Sequence, residues 1–206
     1  MRLAFFASGG GSNVQAILDA IAAGALDARP VLLVSDRDGI GALDRAAAAG
    51  IESAVLPPRD SADEAAFGDA LLGALHGAGA DTIALAGYLK KIPAPVVSAF
   101  AGRILNVHPS LLPAFGGPGY YGRRVHQAVL DAGCRVSGAT VHLVDAAYDT
   151  GPIVLQECVS VLDDDTPETL ATRVLAVEHK LFPRALALLA AGRIRLDAGR
   201  VRLDGP

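Results

Sequence analysis

The sequence contains no tryptophan, one methionine and only two cysteines in 206 residues. Cys134 and Cys158 have neither metal-ligand spacing nor enough partners for a disulfide framework, which points to a reducing, cytoplasmic setting. Long apolar runs are also lacking. The stretches at 82–87 (TIALAG) and 186–191 (LALLAA) fall far short of the ~20 residues that cross a bilayer. At the N-terminus one arginine precedes only Leu3–Ala7 before a glycine cluster, too short for the apolar region of a signal peptide. No basic run exceeds two residues, and 18 basic against 22 acidic side chains leave a net charge of −4. Nucleic-acid partners are disfavoured, because neutralising phosphates supplies much of their affinity. An anionic ligand must therefore be held by local devices such as helix N-termini.

What is present describes a folded α/β chain. Hydrophobic residues make up 51% and charged ones 19%, with a mean hydropathy of +0.38, so intrinsic disorder is excluded. The length suits one domain, 1–206, read in two halves, 1–100 and 101–206. Short apolar strands are expected at Leu3–Ser8, Val31–Ser35, Ser53–Leu56 and Thr82–Ala86, alternating with helices at Asn13–Ala23, Gly41–Ala49 and Ala62–Gly77. This alternation argues for an open, mostly parallel twisted sheet with helices on both faces. After residue 100 the pattern changes. Strand Ile104–Val107 runs into a proline- and glycine-rich loop, then a helix over Val125–Ala132. Ala139–Val144 and Ile153–Val161 read as an antiparallel pair. Thr166-Pro167-Glu168 starts a helix extending to Ala191 with a bend near Pro183, and a terminal hairpin turns at Ala198-Gly199.

Two segments carry chemistry. Ser8-Gly-Gly-Gly-Ser-Asn13 lies between the first strand and first helix, where glycines let backbone N–H groups turn toward an anion. Ser12 and Asn13 are candidates to cap that helix and to donate side-chain hydrogen bonds. A dinucleotide fingerprint fails at its third glycine, where Val14 stands, although Asp36 sits where a ribose-binding acid would. A phosphate-loop NTPase motif fails for want of its Gly-Lys-Ser/Thr ending, so a single phosphate monoester fits best. Asn106-Val-His-Pro109 ends the fifth strand with residues 106 and 108 on one face. An amide beside an imidazole suits acyl chemistry, the amide donating to an oxyanion and the ring moving protons. Asp149, in the turn Asp145–Pro152, is either an Asx-turn residue or the group that orients His108. Thr140 and His142 alternate on one strand and are either core or cleft residues. Glu178-His179 reads as a solvated pair, and His76 and His126 as surface residues. A zinc site from His108, His126 and His142 would have scattered ligands and no cysteine, so no metal is expected.

Five motifs together resemble the phosphoribosylglycinamide formyltransferase family of folate-dependent enzymes, over nearly the whole chain. They are Ser8–Gln15 (SGGGSNVQ), Leu85–Lys90 (LAGYLK), Asn106–Pro113 (NVHPSLLP), Val136–His142 (VSGATVH) and Asp149–Ile153 (DTGPI). The resemblance implies a Rossmann-like formyltransferase fold with an antiparallel C-terminal part. It implies formyl transfer from 10-formyltetrahydrofolate to the amine of glycinamide ribonucleotide, with no metal. It places the 5′-phosphate on Gly11, Ser12 and Asn13 and the ribose hydroxyls on Glu178. Asn106, His108 and Asp149 become the catalytic trio. The folate falls to Leu89, Lys90, Lys91, Ile92, Asn106 and the loop Asp145, Ala146, Ala147, Tyr148, Asp149. Glu64 departs from the arginine that relatives often carry near that position, and Lys91 from the usual apolar residue. The loop Phe115–Arg124 resembles a longer variant and is a candidate mobile cover.

The resemblance further implies small-molecule partners only, without nucleic acid or membrane, and a monomer or homodimer. The alternatives are a 10-formyltetrahydrofolate hydrolase and a nicotinamide-dependent oxidoreductase. The hydrolase carries an additional N-terminal regulatory domain, whereas Met1 here opens directly into the first strand. The oxidoreductase gives Asn106 and His108 no role. A methionyl-tRNA formyltransferase is expected to show a further C-terminal domain and a basic surface.

Overall fold

The computed structural model describes residues 1–205. Two compact units divide at the fifth strand, Met1–Leu105 and Asn106–Pro206. The first contains β1 (Arg2–Ala7), α1 (Ser12–Ala22), β2 (Arg29–Ser35), α2 (Gly41–Ala48), β3 (Ser53–Val55), α3 (Glu64–Gly77), β4 (Thr82–Leu85), α4 (Ala94–Ala99) and the start of β5 (Ile104–His108). β1 lies between β2 and β4, parallel to both, with Phe5 opposite Leu33 and Ala84. Its residues Leu3–Ala7 are buried, as expected of a strand covered on both faces. Chain order reverses at β1, because β2 and β3 lie on one side of it and β4 on the other. Right-handed crossovers then put α1 and α2 on one face and α3 on the other, and α1 indeed packs on α2 while α3 packs on α4. Such a reversal opens a crevice at the C-terminal strand ends, where the glycine loop follows β1. Ser8 ties the loop to the segment after β4: its N–H donates to Gly87 O at 3.1 Å, and its Oγ accepts from Leu89 N–H at 3.0 Å.

In the second unit, β5 is followed by α5 (Arg123–Asp131), β6 (Val136–Leu143), β7 (Ile153–Ser160), α6 (Pro167–Ala190) and the hairpin β8 (Ile194–Asp197) with β9 (Arg200–Leu203). The strand order is β3-β2-β1-β4-β5-β6-β7, with β6 and β7 antiparallel, and the hairpin forms its own sheet. This is the mostly parallel fold with an antiparallel C-terminal part read from the sequence. A capping box opens α6: Thr166 Oγ1 accepts from Thr169 N–H at 3.3 Å, and Thr169 Oγ1 from Thr166 N–H at 2.9 Å. The helix continues through the buried Pro183 to Ala190, close to the expected end. α6 packs against β6 and α5, burying Leu170, Val174, Leu181, Phe182 and Leu186.

Several expectations are corrected. Gly11, in left-handed conformation at φ 73°, is the N-cap of α1, and no side chain caps the helix; Ser12 and Asn13 belong to its first turn. α4 was not legible, because only six residues follow Pro93 and they show no long apolar period. His126 is buried at 4% exposure, since α5 turns the side carrying Val125 and Val129 toward α6. Glu178 is likewise buried, at 7%, rather than solvated.

Gly138 shows how tightly the antiparallel pair is packed. A Cβ there would overlap the Glu157 carbonyl oxygen and lie 2.8 Å from Leu111 Cδ2. Gly138→Ala is therefore expected to cost roughly 1–3 kcal/mol of stability, measured by urea unfolding, as overpacking against backbone does.

Candidate active site

The glycine loop of the first unit forms at the strand end facing the first turn of α1. A helix leaves its first N–H groups without intrahelical partners, and the glycine loop leads directly into that first turn, Ser12 to Val14. Together with the positive end of the helix dipole they suit an anion. Gly11 and Asn13 are buried and Ser12 is half-buried. Glycine is required at position 11, because a Cβ would come within 2.7 Å of Ala42 Cα in addition to the positive φ.

Asp36 follows β2 with its side chain only 2% exposed. Arg37 Nη2 donates to its Oδ2 at 2.7 Å, and Lys90 Nζ stands 3.7 Å from the same oxygen. Burial pushes the carboxyl up, but the Arg37 guanidinium, the Ser8 hydroxyl and the Lys90 ammonium outweigh it and hold Asp36 below the usual range. The carboxylate is thus engaged by two cations of its own unit, which argues against a ribose-binding role. Lys90, expected near a folate, has its charge partly compensated here. Leu89 and Lys91 are exposed and Ile92 is buried. Glu64 opens α3 after the Asp63 cap, where an acid favours the helix dipole.

The second unit gathers its polar groups where β5 ends. β5 brings Asn106 and His108 to one face, and the turn after β6 brings Asp149, held at φ 57°, an allowed conformation for aspartate. Asp149 Oδ2 lies 3.5 Å from His108 Nδ1 and accepts the Gly117 N–H at 2.9 Å. Asp149 Oδ1 lies 3.4 Å from Asn106 Nδ2 and 3.6 Å from His142 Nε2. Burial raises the Asp149 carboxyl, but the facing His108 ring and the Gly117 N–H help to outweigh it and lower it. It is a carboxylate at neutral pH.

His142 is the partner the sequence left undecided between core and cleft. It is buried on β6 beside a register shift, and its Nδ1 lies 2.9 Å from Leu143 O. A carbonyl only accepts, so Nδ1 carries a proton toward Leu143 O, and Nε2 is left as the acceptor. Asn106 Nδ2, 3.1 Å from Nε2, donates to it. One amide hydrogen of Asn106 is anchored there, and the second, only loosely held by Asp149, remains for another acceptor.

His108 Nε2 donates to Phe115 O at 2.8 Å, while Nδ1 faces Asp149. Burial pushes the imidazole pKa down; Asp149 and the Phe115 carbonyl push it up; the net direction is downward. The expected upward influence of Asp149 is present, yet the resting ring is neutral. Burial also lowers His126, with the His108 ring adding to the effect. The loop after Pro113 meets His108 through Phe115 O and Asp149 through the Gly117 N–H, contacts with no local sequence signature. Thr140 supports the same loop: its Oγ1 donates to Ser110 O at 2.6 Å and accepts from Leu112 N–H at 3.0 Å. In the turn, Asp145 accepts from Ala147 N–H at 3.1 Å and Thr150 Oγ1 at 2.7 Å, while Ala146, Ala147 and Tyr148 are exposed. Among the described residues no group of three or more His, Cys, Asp or Glu side chains is placed to hold a metal ion.

Comparison with known proteins identifies the family. The pattern of the formyl transferase family matches residues 1–186. A chloroplastic phosphoribosylglycinamide formyltransferase of Arabidopsis thaliana is 45% identical over 196 residues, covering 94% of this chain and 67% of that protein. The trifunctional purine biosynthetic protein adenosine-3 of Bos taurus is 41% identical over 97% of this chain, which spans 19% of its length. Among solved structures, glycinamide ribonucleotide transformylase 1 from Symbiobacterium toebii superposes with a TM-score of 0.93 at 41% identity, covering 98% of this chain and 93% of that one. This chain belongs to the formyl transferase family.

Proposed function

We propose that the chain transfers the formyl group of 10-formyltetrahydrofolate to the amine of glycinamide ribonucleotide, a step of purine synthesis. The observation that supports this most is the meeting of the Asn106 amide and the His108 imidazole on the Asp149 carboxylate, both within 3.5 Å of it. In the first unit, Gly11, Ser12 and Asn13 take the 5′-phosphate, and the backbone of Leu89, Lys90, Lys91 and Ile92 serves the folate. In the second, Asn106, His108 and Asp149 carry the reaction, Asp145–Asp149 serves the folate, and the buried Glu178 takes the ribose hydroxyls. The substrates are small molecules, and the reaction needs no metal. Two free thiols, Cys134 and Cys158, suit a reducing compartment such as the cytoplasm. Among the described residues no helix is long and apolar enough to cross a membrane.

The neutral amine attacks the formyl carbon, forming a carbon–nitrogen bond and an oxyanion. The second Asn106 N–H and the His108 Nε2–H are the donors for that oxygen, which displaces the Asp149 and Phe115 oxygens they face at rest. Negative charge on the substrate then favours the imidazolium, with Asp149 already beside Nδ1. Collapse breaks the bond to the folate nitrogen, which receives the proton lost by the amine. Preorganised donors in a buried site supply most of the stabilisation in such a step.

Formyl-folate consumption is expected to require glycinamide ribonucleotide; consumption at the same rate without the amine would make the protein a hydrolase. Asn106→Ala and Asp149→Asn are each expected to lower kcat by about 10²–10³-fold with unchanged circular dichroism. His142→Leu is expected to lower kcat in the wild type but to have no further effect in Asn106→Ala, because its Nε2 acts through that amide.

A further inference from the structure

Building on the phosphate reading of the glycine loop, we infer that Arg45 is a positioning residue that sets the direction of the loop's N–H groups. Arg45 lies on α2, half-buried, outside every motif that carries the family resemblance. Its Nε donates to Gly10 O at 2.9 Å, and its Nη1 donates to Gln15 Oε1 at 2.9 Å. Gln15 in turn donates to Asp19 at 2.8 Å, so the guanidinium clamps the loop to the first two turns of α1. One residue pair earlier, the Ala42 N–H donates to Gly9 O at 3.1 Å.

The consequence follows from peptide geometry. In a trans peptide the C=O of one residue and the N–H of the next lie in one plane and point in opposite directions. Two successive carbonyls, Gly9 and Gly10, are drawn toward α2. The N–H groups of Gly10 and Gly11 must then point away from α2. Glycines at these positions rotate freely, so nothing intrinsic to the loop selects this orientation. Without Arg45 the 10–11 peptide loses the one side-chain anchor on its carbonyl, and the N–H of Gly11 becomes free to turn. The fork geometry matters as well as the charge, because two separate acceptors are held by two different nitrogens.

The test compares the wild-type protein with Arg45→Lys and Arg45→Met. Lysine keeps the charge and loses the fork; methionine loses both. KM is measured for each substrate together with kcat, and inorganic phosphate is titrated as a competitor of glycinamide ribonucleotide. Both variants are expected to raise the KM for glycinamide ribonucleotide about ten-fold and to weaken phosphate inhibition in parallel. The KM for formyl-folate and kcat should stay within about two-fold, a split that general destabilisation would not give. Wild-type behaviour of Arg45→Lys would show that only charge matters and overturn the positioning role. An equal effect on the KM of both substrates would also overturn it. Absence of competition by phosphate in the wild-type protein would instead refute the phosphate reading itself, and the inference with it.

Discussion

The Asp149 carboxylate is the group on which the polar chemistry of the second unit depends. It is one buried negative charge facing three side chains and one backbone N–H: His108, Asn106, His142 and Gly117. An isolated carboxylate at 11% side-chain exposure would be expensive to ionise. It remains charged because its neighbours arrive from three segments at once: the end of β5, the end of β6 and the loop after Pro113. Remove the charge, and His108 loses the group opposing its desolvation while Asn106 loses the placeholder on its second N–H.

In the proposed reaction the same balance favours a transient charge. His108 rests neutral, since burial outweighs the nearby carboxylate. A second negative charge appearing at Nε2 would tilt that balance toward the imidazolium. Asn106 is only loosely held by Asp149 at 3.4 Å and His108 is held by the Phe115 carbonyl at 2.8 Å; both donors have more to gain from an oxyanion than from a ground-state carbonyl, which is the condition for lowering a barrier. In the proposed function the first unit meets a permanent charge, the phosphate, with different means. Backbone N–H groups and a helix end are proposed to serve there, while the cations Arg37 and Lys90 are engaged by Asp36 and Arg45 by the Gly10 carbonyl.

Much of this was legible in the sequence because it is local. Uninterrupted apolar runs such as Leu3–Ala7 mark strands buried on both faces, and Thr166-Pro167 marks a helix start. Asn106 and His108 share a face by strand alternation alone. What was not legible is long-range. Asn106 and Asp149 are 43 residues apart, and periodicity states which face a residue occupies but not what lies opposite it. His142 and His126 illustrate this: one histidine is equally compatible with a cleft, a core and a surface until the neighbouring elements are placed. Arg45 likewise looks like an ordinary helix-surface charge until α2 is set beside the glycine loop.

The central claim is that Asp149 supports the proton on His108 against burial. The direct measurement is the titration of the His108 ring by NMR in the wild type and in Asp149→Asn, with the signal assigned by its loss in His108→Asn. The wild-type midpoint should lie below the ~6.5 of a free imidazole, and Asp149→Asn should move it further down. A midpoint in Asp149→Asn equal to or above that of the wild type would contradict the account.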